Sequence, residues 1–470
     1  MTPEEFRRLG HELIDWVADY RARAASLPIT TQIKPGVIKA QFAADPPQQG
    51  EAVGDLLADV DRLIMPGLTH WQHPRFFAYF PSNSLLVSVL GDYLATGLGV
   101  LGLSWQSSPA LTELEEVTTD WVRRMLGLGD GWGGVIQDTA SSCTLIALLC
   151  ARERATDHSS NRGGLQDEAQ PLIVYGSGQS HSSVDKAALL AGFGRANIRH
   201  VATDANYAME PMALRQQIEA DLAAGRKPCA IVATTGTTAT TALDPIAEIA
   251  RIAQEFGLWL HVDAAMAGSA MILPECRWMW EGVEGADSIV TNAHKWLGVA
   301  FDCSLYYVRD PEHLIRVMST NPSYLRTNAD AEVKNLRDWG LPLGRRFRAL
   351  KLWLLIREQG VEGLQARLRR DLKQAQWLLK EIAGTPDWRV LAPVPLQTLC
   401  VRHEPAGLSG EELDRHTLAW AERVNLSGGA YVTPAQLDGR WMVRLSLGAH
   451  LTEQEDVEAL WQLLRACAAG

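Results

Sequence analysis

The chain is 470 residues long, more than one ordinary domain, and 47% of it is hydrophobic and 21% charged, the balance of a soluble globular protein with a sizeable core. Its 44 basic and 55 acidic residues give a formal charge of −11 at pH 7, which argues against a general nucleic-acid-binding surface. The seven cysteines form an odd, scattered set with no C-x-x-C, which speaks against both a disulfide framework and a zinc site, so no metal is expected.

Reduced thiols and an opening Met1-Thr-Pro-Glu-Glu-Phe6, without the basic-then-apolar pattern of a secretory leader, lead to the expectation of a cytoplasmic protein. The most apolar stretch, Leu85 to Leu103, carries Asp92 and four glycines, so no membrane span is expected. Thr2-Pro-Glu-Glu5 is a capping box with proline at the first helical position, and Phe6, Leu9, Leu13, Trp16, Val17 and Tyr20 follow at helical spacing. Such an apolar face needs a partner surface, either a second subunit or the body of the chain. Pro28 to Gly50 reads as an irregular linker, and Val53 to Ile64 as a helix stopped by Pro66-Gly67. Next comes Trp71-Gln-His-Pro-Arg-Phe-Phe-Ala-Tyr-Phe-Pro81, dense in aromatics and punctuated by prolines, hence neither a good helix nor a central strand. Its rings suit a core or, equally, a wall for an aromatic ligand. Ser108-Pro109 starts a helix with the stripe Leu111, Leu114, Val117, Trp121, Val122 and Met125.

From Gly133 the pattern becomes α/β. An apolar strand near Val135-Ile136 meets the small polar turn Thr139-Ala-Ser-Ser142 and a helix from Thr144 to Arg154, where free backbone N–H groups and the helix dipole favour an anion. Strand Leu172 to Tyr175 runs through Gly-Ser-Gly-Gln-Ser-His181 into a helix from Ser182 to Leu190, which leaves His181 as a helix cap or as a flat ring against a planar ligand. Strand Cys229 to Thr235 ends in Gly236-Thr-Thr238, and a helix from Ile246 to Phe256 returns to the strand Leu258-Trp-Leu-His-Val-Asp263. A further apolar strand, Ser288 to Val290, is followed by Thr291-Asn-Ala-His-Lys-Trp-Leu297. Alternating strands and helices predict a largely parallel, doubly wound sheet, whose ligands gather at the carboxyl ends of the strands.

Asp263 and Lys295 both fall at that edge. They could form a buried ion pair, but pyridoxal phosphate needs both: a lysine amine for its Schiff base and a carboxylate that keeps the ring nitrogen protonated. Beyond Lys295, Cys303 to Val308 reads as a strand and Met318 to Asn335 as an irregular segment of the kind that forms a lid. Leu343-Gly-Arg-Arg-Phe-Arg348 precedes an apolar helix, Leu350 to Ile356. Gln365 to Ile382, Leu396 to Val401, Gly410 to Val424, Trp441 to Leu447 and a helix from Thr452 make up a smaller α+β domain.

Set side by side, His181, His261-Val-Asp-Ala-Ala265 and Asn292-Ala-His-Lys-Trp296 resemble the pyridoxal-phosphate-dependent group II decarboxylases, specifically those acting on aromatic L-amino acids. The resemblance extends to His73-Pro, Phe76-Phe-Ala-Tyr-Phe-Pro81, Ser104-Trp105, Ser108-Pro109, Glu113-Leu-Glu115, Phe301-Asp-Cys-Ser304 and Pro342-Leu-Gly-Arg-Arg-Phe347. It implies a fold type I architecture with a mainly parallel seven-stranded sheet. Residues 1–80 would form an N-terminal helical segment packing across a homodimer, 81–350 the large cofactor domain, and 351–470 a small C-terminal domain. It also implies a Lys295 Schiff base, Asp263 at the ring nitrogen, and His181 stacked on the ring. Ala140 and Ser141 would cradle the phosphate with help from Asn292 and His294, and Thr238 and Ala265 would line the ring. Trp71, Tyr79, Phe80, Pro81, Ser82, Leu101 and Leu103 match substrate-pocket positions, and Tyr324 matches the position that reprotonates the carbon after CO2 leaves. Two positions depart from animal members of the family: Met266 where they usually have tyrosine, and the turn Thr139-Ala-Ser-Ser142, which has no acidic residue after its second serine. Both bear on which aromatic amino acid is taken. The implied products are an amine and CO2, with an aldehyde synthase or an aminotransferase on the same cofactor as rivals; neither a nucleic acid nor a membrane is expected as a partner.

Overall fold

The computed structural model describes residues 1–320 and 332–470. The expected lid over 318–335 falls mostly outside them, and Tyr324 wholly so. The chain divides into two compact units: one combines Met1–Pro81, Lys380–Arg389 and Val401–Gly470, and the other Ser82–Leu379 and Val390–Cys400.

The larger unit is built on a seven-stranded sheet. In chain order its strands are β1 (Gly133–Gln137), β2 (Leu172–Ser177), β3 (Ile198–Val201), β4 (Lys227–Thr234), β5 (Trp259–Asp263), β6 (Ser288–Asn292) and β7 (Ser304–Val308), arranged β1-β7-β6-β5-β4-β2-β3. β2 to β6 run parallel, as the alternation of strands and helices predicts, and β7 is antiparallel to both β6 and β1. The central strands β2, β5, β6 and β7 are buried along their whole length, which is why they read as continuous apolar runs instead of alternating. The helix Ile246–Phe256, with Ile246, Ile249, Ala250, Ile252 and Ala253 buried, carries the chain back between β4 and β5. It ends on Gly257, whose φ of +67° a side chain would resist.

This topology decides where the functional residues go. The parallel strands present their carboxyl ends, Ser177, Thr234, Asp263 and Asn292, at one edge. Because β7 returns antiparallel to β6, the connection 293–303 folds back on that same edge. Because β1 is antiparallel to β7, it too ends there, and delivers the N-terminus of the helix Ala140–Ala155.

At the opposite flank, the buried carboxylate of Asp221 on the helix Pro211–Ala223 accepts hydrogen bonds from the hydroxyl of Tyr175 (2.9 Å), from Arg199 (2.7 Å) and from Arg226 (2.8 Å), tying β2, β3 and the entry to β4 together. Desolvation alone would raise its pKa, but the bonds from Arg199, Arg226 and Tyr175 outweigh it and hold the carboxyl below its ordinary range. A group whose folded pKa is depressed contributes stability above its unfolded pKa and loses it as pH falls through the folded value. Asp221→Asn is therefore expected to cost about 2 kcal/mol in urea unfolding at pH 7, with the gap to wild type closing below about pH 4. A gap that stays constant with pH would show that the ionised carboxylate contributes nothing.

The smaller unit holds the N-terminal segment and most of the C-terminal region. The helix Pro3–Arg23 opens with the predicted capping box, Thr2 accepting from the Glu5 N–H and Glu5 from the Thr2 N–H. Residues 75–77 pair with the C-terminal region through the Phe77 N–H to the Tyr431 carbonyl (2.9 Å) and the Ser446 N–H to the Phe77 carbonyl (2.9 Å). A four-stranded sheet, ordered β10-β11-β9-β8, comprises β8 (Trp388–Val390), β9 (Thr398–His403), β10 (Thr433–Leu437) and β11 (Arg440–Ser446), and the helices Gly410–Leu426 and Gln454–Ala469 complete the region. Among the described residues, no helix is long and apolar enough to cross a membrane.

Candidate active site

Lys295 sits in the turn Ala293–Leu297, half-buried, where the chain leaves β6. The turn is anchored on its upstream side by the Asn292 N–H to the Ala265 carbonyl (2.8 Å) and by the Cys303 N–H to His294 Nδ1 (2.9 Å). Nδ1 of His294 also lies 3.0 Å from the Cys303 carbonyl, so the ring is seated against both backbone groups of that residue. Burial first, then the neighbouring Lys295 charge, push the His294 pKa down to about 4, so at neutral pH it is an uncharged hydrogen-bond donor. The Asn292 side-chain oxygen accepts from the Ser304 hydroxyl (2.6 Å), which leaves its NH2 as a donor.

Asp263, buried at the end of β5, accepts the Ala265 N–H on Oδ1 at 3.0 Å. That bond orients the carboxylate and leaves Oδ2 as the oxygen for a further partner. His181, just beyond β2, accepts the Ser183 N–H on Nδ1 (3.1 Å) and so caps the helix Ser183–Leu190; its proton is on Nε2. Capping does not exclude contact with a ligand, because it uses a ring edge and leaves the faces. Although the ring is exposed, the surrounding protein lowers its pKa by desolvation; the Asp263 carboxylate raises it and the Lys295 ammonium lowers it. That mutual influence brings His181, Asp263 and Lys295, far apart in the chain, into one electrostatic neighbourhood.

The helix Ala140–Ala155 begins at Thr139, whose side chain makes no capping hydrogen bond, so the first-turn N–H groups at Ser141 and Ser142 keep the geometry of an anion cradle. Ala140 is buried and Ser141 exposed, and Thr238 is exposed on the turn after β4. Of the residues expected to contact substrate, Ser82, Leu101 and Leu103 lie in this unit, with Leu101 exposed beside Gly344. Trp71, Tyr79, Phe80 and Pro81 belong to the smaller unit. There the aromatic segment is split: Phe76, Phe77 and Ala78 are core, whereas Trp71 and Tyr79 are exposed and stacked on each other at 5.5 Å, so the core reading holds for only part of it. Phe80 lies 4.1 Å beneath the Arg444 guanidinium.

The sequence model of the pyridoxal-dependent decarboxylase conserved domain matches residues 35–404. The chain belongs to the pyridoxal-dependent decarboxylase family. It is 40% identical to tryptophan decarboxylase 2 of Oryza sativa subsp. japonica, over 99% of this chain and 95% of the relative. To phenylacetaldehyde synthase of Arabidopsis thaliana it is 39% identical, over 99% and 96%. The crystal structure of Oryza sativa TDC with PLP and tryptamine superposes with a TM-score of 0.97 at 36% identity, covering 100% of this chain and 98% of that one. This decarboxylase is a carboxy-lyase and its cofactor is pyridoxal 5′-phosphate, in a fold of type I. The donor set fits that group: a lysine amine for the aldehyde, an oriented carboxylate oxygen for the pyridinium, an imidazole face, and uncapped backbone N–H groups with a neutral amide and imidazole for the phosphate.

The partners that hold these side chains were not apparent from sequence. Ser183 on His181, Ser304 on Asn292 and Cys303 on His294 are small residues whose importance comes only from where they stand. Of these, Cys303 and Ser304 carried a signal, as part of Phe301-Asp-Cys-Ser304.

Proposed function

We propose that this enzyme converts an aromatic L-amino acid to the amine and CO2, as a homodimer in the cytoplasm, with Lys295 holding the cofactor covalently. The observation that carries the proposal is the convergence of Lys295, Asp263 and His181 at one sheet edge. Both the tryptophan decarboxylase relative and the tryptamine-bound structure support an aromatic side chain, as does the exposed Trp71–Tyr79 stack. None of the seven cysteines is joined in a disulfide, which suits a reducing compartment. The homodimer is supported by Leu86, Leu90, Tyr93, Leu94 and Leu98, an exposed apolar stripe at helical spacing on Leu86–Leu98.

When bound, the cofactor supplies the sink for the electron pair released with CO2. Each protein group has a separate task. Asp263 Oδ2 keeps the ring nitrogen protonated, and the His181 ring covers one face while Ser183 fixes its angle. Ala140, Ser141, Asn292 and His294 hold the phosphate without adding a formal charge of their own at neutral pH, and Thr238 and Ala265 border the ring. Ser82, Leu101 and Leu103 receive the substrate side chain. A steady-state comparison of tryptophan, tyrosine, phenylalanine and dopa, with amine and CO2 quantified, tests the reading; keto acid in place of amine would make the enzyme an aminotransferase.

A second reading is favoured by the similarity to phenylacetaldehyde synthase. That outcome consumes dioxygen and water and yields aldehyde, CO2, ammonia and peroxide when the electron-rich carbon is oxidised instead of protonated. Tyr324 is assigned the protonation, and phenylalanine there removes only the hydroxyl. Under air, Tyr324→Phe is expected to shift product from amine to aldehyde with an equivalent of peroxide. Unchanged amine output without peroxide would move proton donation to another group.

A further inference from the structure

The segment just downstream of Lys295 is secured by a device outside the site. The indole of Trp296 is fully buried and donates its Nε1–H to Asp371 Oδ2 at 2.8 Å. Arg367 donates from Nη1 to the Trp296 carbonyl at 2.8 Å and from Nη2 to the Leu297 carbonyl at 2.6 Å. Arg367 and Asp371 stand four residues apart in the segment Arg348–Ala383, so they share one helical face. Gly298 comes next at φ +101°, where a Cβ would meet Leu85 Cδ1 at 2.5 Å and lie 3.2 Å from Arg367 Nη2. The chain therefore leaves the lysine turn in a left-handed conformation, close beside the guanidinium, along a path open to glycine alone.

We infer that Asp371 and Arg367 are positioning residues for Lys295: by fixing Trp296 and the two carbonyls after the lysine, they set how readily its amine reaches the cofactor aldehyde, not how tightly the cofactor is held. The inference rests on Lys295 being the residue that takes the cofactor. Three fixed points on one helix are more than a turn of five residues needs to stay folded. The electrostatics agree with a geometric role. Asp371 is wholly buried, and burial raises its carboxyl pKa against the pull of Arg370, Trp296 and Arg367. Burial pushes the Arg367 pKa down to about 10 against the pull of Asp371, with Arg370 adding to the fall. The ion-pair partner of Asp371 is Arg370, at 3.2 Å; well-packed apolar residues often replace buried charged groups at no loss of stability, so charges held this way are explained better by the single conformation they enforce. The upstream bonds, Cys303 to His294 and Asn292 to Ala265, are matched downstream by the Val299 N–H to the Ala293 carbonyl (3.0 Å) and the Leu85 N–H to the Gly298 carbonyl (3.0 Å), and Asp371 and Arg367 add the side-chain ties to Trp296 and Leu297.

The test separates capture from binding. In the full-length chain freed of cofactor, the rate at which pyridoxal 5′-phosphate becomes fixed to Lys295 is followed by borohydride trapping and peptide mapping. Binding is followed separately, with pyridoxamine 5′-phosphate, which has the same ring and phosphate but no aldehyde. Trp296→Phe, which removes the indole donor, and Arg367→Met, which removes both carbonyl bonds, are expected to slow capture at least tenfold while the pyridoxamine phosphate Kd stays within twofold of wild type. Wild-type capture rates in both variants would overturn the inference, and so would a loss of pyridoxamine phosphate affinity in step with capture, which is the mark of a merely structural role. Should Arg367→Met fail to fold, Trp296→Phe decides by the same two measurements. A wild-type chain that captures the cofactor at another lysine overturns the Lys295 assignment and this inference with it, whereas correct capture in wild type with unaffected variants overturns this inference alone.

Discussion

Lys295→Ala is expected to reduce turnover at least about 10⁴-fold, roughly 5 kcal/mol of transition-state stabilisation, and to leave pyridoxal phosphate bound without a covalent link. The reason is positional. Among the described lysines, Lys227 opens β4 at the opposite edge of the sheet and Lys186 is exposed on the helix Ser183–Leu190. Lys351 is fully buried with Nζ 3.4 Å from Asp92, and Lys334 lies over the Trp339 ring at 3.6 Å. Lys295 alone among them stands at the fold-back between β6 and β7, where it acts on the same imidazole as Asp263. Borohydride reduction of the wild-type holoenzyme followed by peptide mapping should recover the pyridoxyl group on Lys295. Its recovery on any other lysine would sink the assignment, whatever the activity of the variant.

How much of this was legible in advance depended on whether a feature leaves a periodic or terminal mark in the chain. Buried parallel strands do: the apolar runs into Asp263 and Asn292 are visible because each ends abruptly in a polar residue, and Ile246–Phe256 is visible because its apolar face repeats every turn and Gly257 ends it. Edge elements leave less. β3, Ile198–Val201, is half-exposed and contains Arg199, whose reason for being there is Asp221 on a helix more than twenty residues away, so neither the strand nor the helix Pro211–Ala223 stood out. The helix Ala140–Ala155 starts four residues before its apolar pattern does, since its first turn is made of small residues suited to an anion instead of a core. The apolar pattern from Leu350 stopped at Ile356, yet helical structure continues to Ala383, broken only at Gly360, where φ is +63°. Least legible were the polar partners. Trp296 meets Asp371 and Arg367 from more than seventy residues away, and a pairing across that distance has no sequence period to betray it.

Asp263→Asn is the sharpest test of the chemistry itself, because the wild-type hydrogen bonding predicts what the amide keeps and what it loses. The Ala265 N–H bond to Oδ1, 3.0 Å, can pass to the amide oxygen, so the side chain should stay in place. What changes is the group at Oδ2: an NH2 donor facing a ring nitrogen that a carboxylate would hold protonated. Opposite charges about 4 Å apart attract by roughly 4 kcal/mol at an effective dielectric near 20, and an amide forfeits that attraction while adding a competing donor. We expect kcat to fall at least about a hundredfold, roughly 2.7 kcal/mol, with cofactor still bound at saturating concentration. A second readout does not depend on turnover. The Asp263 carboxylate raises the His181 pKa against desolvation, so its removal should lower that pKa further, and NMR titration of the imidazole in cofactor-free protein would register the drop. A near-native kcat would refute the carboxylate's role at the ring nitrogen, and an unmoved His181 titration would refute the electrostatic neighbourhood on which the site assignment stands.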